Sequence, residues 1–517
     1  MDGTPVAERT RRGGRAARHA LRSRPLDVEL RPVRPGLAGG AYRPLDEAGV
    51  AAIDEAALTV LETIGLANAL PGCIDLVTAA GGRLDEQGRL LFPRELVHSC
   101  LATAARHFTL HGRDPVHDMQ PGGRRVHFGT AGAAVNMVDP ESRDYRDTTL
   151  SDLFDIARLV DRLEHIHFFQ RSVIARDLPD PRELDINTLY ACIAGTTKHV
   201  GTSFTDPDHV REGLAMLHLV AGSEEAWRAR PFVSMSCCFV VPPLRFAEDA
   251  CRCLEAAVAG GMPVLLLAAG QAGATSPASL AGAVVQEVAE VLAGIVYVNL
   301  LEPGHPAIFG TWPFVSDLRT GAMSGGSGEQ ALMMAACAQM AHFYDLPGGV
   351  ASGMADSKLA DAQAGAEVAL NHALVGNAGA NLIYEAAGMR ASLLGFSLEG
   401  LVLDNDIIGS TLRTIRGLET DAESLAIDVM REVCREGPGH YLGHADTLAR
   451  MQKDYIYPAA GDRKSPKEWL ENGSSDALER AAHGVRAILA NDPGLRLDAA
   501  LDRRLRANFP IRLPRPG

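Results

Sequence analysis

From about residue 121 onward, the pattern of apolar and polar positions keeps switching between two forms. Short runs of small and branched apolar residues read as buried strands, and longer stretches with apolar residues three and four apart read as helices. "RRVHFGTAGAAVNMV" is a strand, and "LSDLFDIARLVDRLEH" is a helix with Leu153, Ile156, Leu159, Val160 and Leu163 along one stripe. "IHFFQRSVIA", "KHVGTSF", "PFVSMSCCFVV", "PVLLLAAGQAG", "PAIFGTWPF", "GGVASGM" and "ANLIYEAAG" continue the strands, each followed by a helical stretch. Two of the helices start on the same pair, Asp180–Pro181 and Asp206–Pro207, where the acid caps and the proline fills the first turn. A third opens at Ser276–Pro277. About eight strand–helix pairs in strict alternation predict a parallel sheet wound with crossover helices. Closure into an α/β (β/α)8 TIM barrel follows from the count of roughly eight units.

The flanks read differently. "DEAGVAAIDEAALTVLETIG" and "PRELVHSCLATAARHF" predict a helical cap ahead of the barrel. Behind it, "GPGHYLGHADTLARMQKDYIYP" is rich in His, aromatics and Pro, and "SDALERAAHGVRAILA" is an exposed helix. The predicted organisation is a basic, disordered tail over 1–40, a cap over 41–120, the barrel over 121–430 and a C-terminal arm over 431–517. The arm is expected to pack on the barrel or on a second subunit, and a homo-oligomer is expected.

Composition narrows the partners. A formal net charge of −14 leaves no basic stripe for a nucleic acid and suits a small cation better. The Arg-rich, acid-free stretch Arg9–Pro25 reads as a tail that pairs with an acidic body or a neighbouring subunit. The most apolar run, "SLAGAVVQEVAEVLAGIVYVNLL", is interrupted by Gln286, Glu287 and Glu290, short of the roughly 18 apolar residues a membrane span needs. No membrane span is expected. Nine cysteines without a C-x-x-C pair predict reduced thiols in a cytoplasm and no zinc knuckle.

In such a barrel the chemistry sits at the C-terminal strand ends. Read in order, those ends supply Gln170 and Arg171, then Gln271, then Thr311 and Trp312, then Asp356, Ser357 and Lys358, and last Tyr384 and Glu385. Gly129, Thr130, Thr202, Ser203, Ser236 and Cys237 stand at the remaining ends. The set is polar yet lacks a nucleophile elbow and an H-E-x-x-H helix. His127 and His199 have no neighbouring ligand, so no metal site is expected and no catalytic residue is assigned. Trp312 and Tyr384 offer π faces, and Asp356 and Glu385 offer charge, which is how a cation without N–H donors is held. Each carboxylate has a second reading, as an ion-pair partner of Lys358 or Arg171. The loop "TGAMSGGSGEQ" reads as a phosphate cradle, a flexible mouth loop, or a flat surface for a broad partner.

Four separated stretches carry a family resemblance: "TTLSDLFDIARLVDRLEHIHF", "GGSGEQALMMAACAQMAHFYDLP", "GMADSKLADAQAGAE" and "GPGHYLGHADTLARMQKDYIYP". Together they resemble the trimethylamine–corrinoid methyltransferase family. The resemblance implies a TIM barrel that moves a methyl group from an amine to a Co(I) corrinoid carried on a separate small protein. The founding members contain pyrrolysine and this chain has none, which points to the non-pyrrolysine branch and to quaternary amines such as glycine betaine. A quaternary amine leaves as a neutral amine and needs no general acid, matching a mouth poor in acid–base groups. On this reading the small strand Gly349–Gly353 leaves space for a trimethylammonium head, and Ser357 and Lys358 fix the loop or hold a carboxylate. Two alternatives stay open: a pterin- or zinc-dependent barrel methyltransferase, and a non-catalytic subunit that binds a betaine or a corrinoid protein.

Overall fold

Eight short strands lie side by side in the computed structural model, which describes residues 31, 33–130, 132–437 and 439–515. The basic stretch Arg9–Pro25 lies outside the described residues. The strands are β1 (Arg125–Phe128), β2 (Phe169–Gln170), β3 (Val200–Thr202) and β4 (Val233–Cys237), then β5 (Val264–Ala268), β6 (Ala307–Thr311), β7 (Gly348–Ala351) and β8 (Leu382–Tyr384). They pair in parallel in the order β1-β8-β7-β6-β5-β4-β3-β2. Gly129 bridges Phe168 in parallel, and the His167 amide donates to Phe128 O at 2.6 Å. Those contacts join the two end strands, so the sheet closes on itself. The predicted TIM barrel is the observed fold.

Strands buried on both faces carry no polar alternation, and β5, "VLLLA", is buried at every position. The crossover helices are α1 (Leu150–Arg162), α2 (Pro181–Gly195), α3 (Pro207–Ala221) and α4 (Glu248–Ala259), then α5 (Leu280–Leu301), α6 (Gly328–Phe343), α7 (Ala362–Ala378) and α8 (Leu398–Arg416). Asp180 and Asp206 cap α2 and α3 as expected, and each accepts a backbone N–H of the first turn. The stripe predicted on α1 is buried throughout.

Helix α5 departs from its sequence reading. It begins after Ser279 rather than at Ser276 and continues unbroken through "IVYVNLL" to Leu301. By length and composition it can cross a membrane, yet 83% of its most apolar window is buried inside the protein. Strands β5 and β6 cover one side and the cap helices Glu47–Thr63, Pro71–Ala79 and Arg94–Thr103 cover another. Gln286, Glu287 and Glu290 do not face water; they are buried with the rest.

After α8 the chain forms a separate unit over 416–457, organised around Arg416, Arg450 and Asp454. Residues from Pro458 onward belong again to the barrel unit. There Asp492 takes Arg158 of α1 at 2.9 Å, and Arg496 takes Asp161 at 2.7 Å. Asn187 of α2 donates to Pro510 O at 2.9 Å, and the Arg506 guanidinium lies over the Tyr190 ring at 5.3 Å. This cover explains why α2 is buried from Asp185 to Gly195 and carries almost no polar face.

Candidate active site

Seven of the eight strand ends converge on one cavity of about 370 Å³ at the barrel mouth. β2 ends on Gln170 and continues to Arg171; the chain after β3 supplies Ser203 and Phe204; β4 supplies Met235, Ser236 and Cys237, with Cys238 next. Trp312 and Phe314 follow β6, Glu385 follows β8, and Gly132 lies in the loop after β1. The missing end is that of β7.

Trp312 is 6% exposed. Its indole N–H donates to Gly349 O at 3.2 Å, and its ring lies 5.4 Å from Tyr384. Tyr384 in turn packs edge-on against Phe168 at 4.9 Å. The glycines of β7 therefore serve a different end from the one read in the sequence. A Cβ on Gly349 would stand 3.0 Å from the Tyr384 ring and 3.1 Å from Leu265. The space is filled by aromatic packing that braces the Trp312 wall, and no void is left there for a substrate head.

Glu385 is 2% exposed and sits at φ +60°, a backbone region that costs a non-glycine residue about 1 kcal/mol or more. Both carboxyl oxygens accept from the Gly132 N–H at 3.0 Å. Burial pushes its carboxyl up to about 8, against the pull of the Gly132 N–H and of the Arg171 charge. In the free protein at neutral pH it is held mostly as the neutral acid.

Arg171 makes no hydrogen bond or ion pair through its guanidinium with any described residue. Burial lowers its proton affinity, and Glu385 is close enough to oppose that shift without forming a salt bridge. A guanidinium carries five donors, and one lining a cavity with none of them used is a ready anchor for an anion. Gln170, buried beside it, accepts from Ser236 Oγ at 3.3 Å.

The acid–hydroxyl–amine cluster of Asp356, Ser357 and Lys358 takes another path. Asp356 accepts from Ser324 Oγ at 2.6 Å, Gly325 N at 2.7 Å and Ser392 Oγ at 2.6 Å. Ser357 donates to Asp361 at 2.8 Å, and the exposed Lys358 ammonium donates to Asp356 O at 2.8 Å. None of the three lines the cavity, because their polar atoms are spent on tying loops together. The reading of Asp356 as free charge at the barrel centre is corrected accordingly. Its partner loop "TGAMSGGSGEQ" uses its glycines for contact. A Cβ on Gly325 would stand 2.7 Å from Met354, and one on Gly326 would stand 2.6 Å from Glu367. Gln271 does not line the cavity; it pairs with the cavity-lining Phe314 in a small two-stranded sheet, and its backbone N–H donates to Thr275 Oγ1 at 2.8 Å. Thr311 is buried toward Cys337 of α6. Among the described residues, no three His, Cys, Asp or Glu side chains gather as a metal-binding group.

Comparison with known proteins gives the family of the chain. Residues 11–512 match the trimethylamine methyltransferase (MTTB) family. The chain belongs to the trimethylamine methyltransferase family. Within it, trimethylamine methyltransferase MttB of Desulfitobacterium hafniense is 32% identical over 441 residues, 85% of this chain and 88% of its own. Glycine betaine methyltransferase of another strain of that species is 30% identical over 469 residues, 90% of this chain and 96% of its own. Trimethylamine methyltransferase MttB2 of Methanosarcina mazei is 34% identical over 467 residues, 88% and 92% of the two chains. This family member is a methyltransferase. Phe204, Met235, Cys238 and Phe314 of its cavity escaped the strand-end reading. They lie one or two residues off the ends that were read, where strand and loop boundaries blur.

Proposed function

We propose that this methyltransferase takes a methyl group from a zwitterionic quaternary amine of the betaine type and delivers it to a corrinoid carried on a separate small protein. The observation that carries the substrate class is Arg171. Its unused guanidinium shares one cavity with Trp312 and Glu385, so a carboxylate finds a cation, and a quaternary ammonium finds an aromatic face and a carboxyl that its charge can ionise. Trimethylamine has no carboxylate and gives Arg171 nothing to bind. The betaine methyltransferase among the relatives supports the same reading.

A reduced corrinoid supplies the nucleophile, and this chain supplies the binding, the line of approach and the exclusion of water. As the methyl carbon is attacked, the C–N bond breaks, its electron pair stays on nitrogen, and the amine departs neutral without taking a proton. The protein then needs no proton donor. Its task is to hold nitrogen and carboxylate so that one methyl faces the opening, which is the positional part of catalysis. Nine free cysteines fit a reducing cytoplasm.

One feature favours a second substrate. Glu385, held as a neutral acid, is what a tertiary amine would need on departure. The test is cobalt methylation, followed by absorbance, with reduced corrinoid protein and a panel of betaines, tetramethylammonium and trimethylamine. A betaine is expected to react and trimethylamine and tetramethylammonium to react poorly. Turnover of trimethylamine alone would transfer the assignment to the acid-assisted reading.

A further inference from the structure

Helix α5 carries two carboxyls where a buried helix ordinarily carries none, and neither belongs to the cavity. Glu287 and Glu290 are each 0% exposed and have no cation within ion-pair distance among the described residues. Such burial is costly unless the groups bond to something that needs them. Glu287 Oε1 accepts from the Gly270 N–H at 2.6 Å, just beyond β5, with the Trp312 amide beside the same carboxyl. Glu290 Oε1 accepts from the Leu244 N–H at 2.6 Å, in the loop after β4. Gln286, between them in space, donates to Thr275 O at 3.0 Å and to Glu290 Oε1 at 3.3 Å. One turn of one helix thus grips the loops that follow β4 and β5, and the second of these holds the chain after β6: Ala268 O accepts from the Trp312 N–H at 3.0 Å and Gly270 O from the Phe314 N–H at 2.8 Å. The fit is close: a Cβ on Gly270 would stand 2.6 Å from Glu287 Oε1 and 3.2 Å from Gln286.

We infer that Glu287, backed by Gln286 and Glu290, is a positioning residue that sets the Trp312 wall of the substrate cavity from behind the barrel. It touches no substrate. The second oxygens of Glu287 and Glu290 are buried without a hydrogen-bond partner among the described residues. An oxygen of a neutral group is therefore enough for the task, since it is acceptance from Gly270 that matters and not negative charge. The inference rests on the cavity being the amine site only for its kinetic arm.

The test uses the full chain with Trp469→Phe, which leaves Trp227, buried, and Trp312 as the emitting tryptophans. Glu287→Ala leaves the Gly270 amide unpaired, and that loss corresponds to about tenfold or more in an equilibrium. Acrylamide quenching of Trp312 should rise clearly, and KM for glycine betaine should rise about tenfold with kcat changed much less. Glu287→Gln keeps an acceptor for Gly270 and should restore both readouts. Glu287→Asp, too short to reach, should behave as Ala does and serves if the Ala protein fails to fold. Lower thermal stability with quenching and KM unmoved would overturn the inference, as would a Gln variant no better than Ala. Quenching needs no substrate, so wild-type protein that ignores every betaine while the quenching pattern holds fails the functional reading alone.

Discussion

At the residue scale the proposed substrate class rests on two side chains, and each makes a separable prediction. Glu385 is pushed up to about 8 by burial, and a bound quaternary ammonium favours its ionised form. Binding a cation below that pH must therefore release a proton. KM for a betaine should fall as pH rises toward 8, by up to about tenfold per unit, and level off above it. Glu385→Gln should remove the slope, read from KM between pH 6 and 9; a wild-type profile without slope would detach Glu385 from the cation. Arg171 makes the opposite kind of prediction. A half-buried cation with no partner in the protein costs stability rather than supplying it. Arg171→Met should leave the melting temperature unchanged or higher and raise KM for a betaine by about tenfold or more, as loss of a charge-assisted bond predicts. A fall in stability with KM unchanged would make Arg171 a structural group.

At the scale of elements, the barrel strands and their helices were legible because both periodicities are strong and the Asp-Pro caps mark helix starts without ambiguity. Arg171, Gln170, Trp312 and Glu385 were legible for a topological reason, since every parallel strand end in a closed barrel faces the same mouth. What the end of a strand does with its polar atoms was not legible. Asp356 looks like Glu385 in the sequence, yet Ser324, Gly325 and Ser392 arrive from two other loops to occupy it. Long-range bonds of that kind leave no local trace. The partners of the α5 acids were not legible for a related reason: polar residues that interrupt an apolar run ordinarily mark a wet face, and these serve backbone amides that need acceptors. The clasp makes Asp356→Asn informative. One oxygen becomes a donor, so a serine hydroxyl must reverse to accept from it, and all three bonds lose their charge assistance, at about 1–3 kcal/mol. Denaturant melts should show that loss while KM for a betaine stays near wild type. A large KM effect with full stability would return Asp356 to the substrate.

For the whole molecule, buried titratable groups of opposite kinds set a window of stability. His127, His199 and His372 are held neutral by burial, each near 4, well under the ordinary histidine value of 6.5. As pH falls below 6.5 the unfolded chain takes up those protons and the folded chain refuses them down to about 4. Each histidine thus removes stability over that range, by roughly 3 kcal/mol in all at 1.36 kcal/mol per pH unit. The buried acids act the other way. Glu385 near 8 and Glu290 near 7 keep their protons in the fold, whereas the unfolded groups release them near 4.5. Their contribution is complete below 4.5 and is lost as pH rises toward 7 and 8. Glu287, raised by burial and by Glu290, adds to the same side. Lys198, held down to about 8, changes stability only above that pH. Between 6.5 and 8 only the acids titrate, so stability should decline with rising pH; below 6.5 the histidines oppose and offset them. The denaturation midpoint should therefore change little below about 6.5 and fall on the alkaline side. Combining Glu385→Gln with Glu287→Gln should flatten that alkaline fall and, with the offset gone, let the histidines steepen the loss on the acid side. Midpoints measured from pH 4.5 to 8 decide it, and a wild-type midpoint that climbs steadily to pH 8 would mean these acids are ionised in the fold.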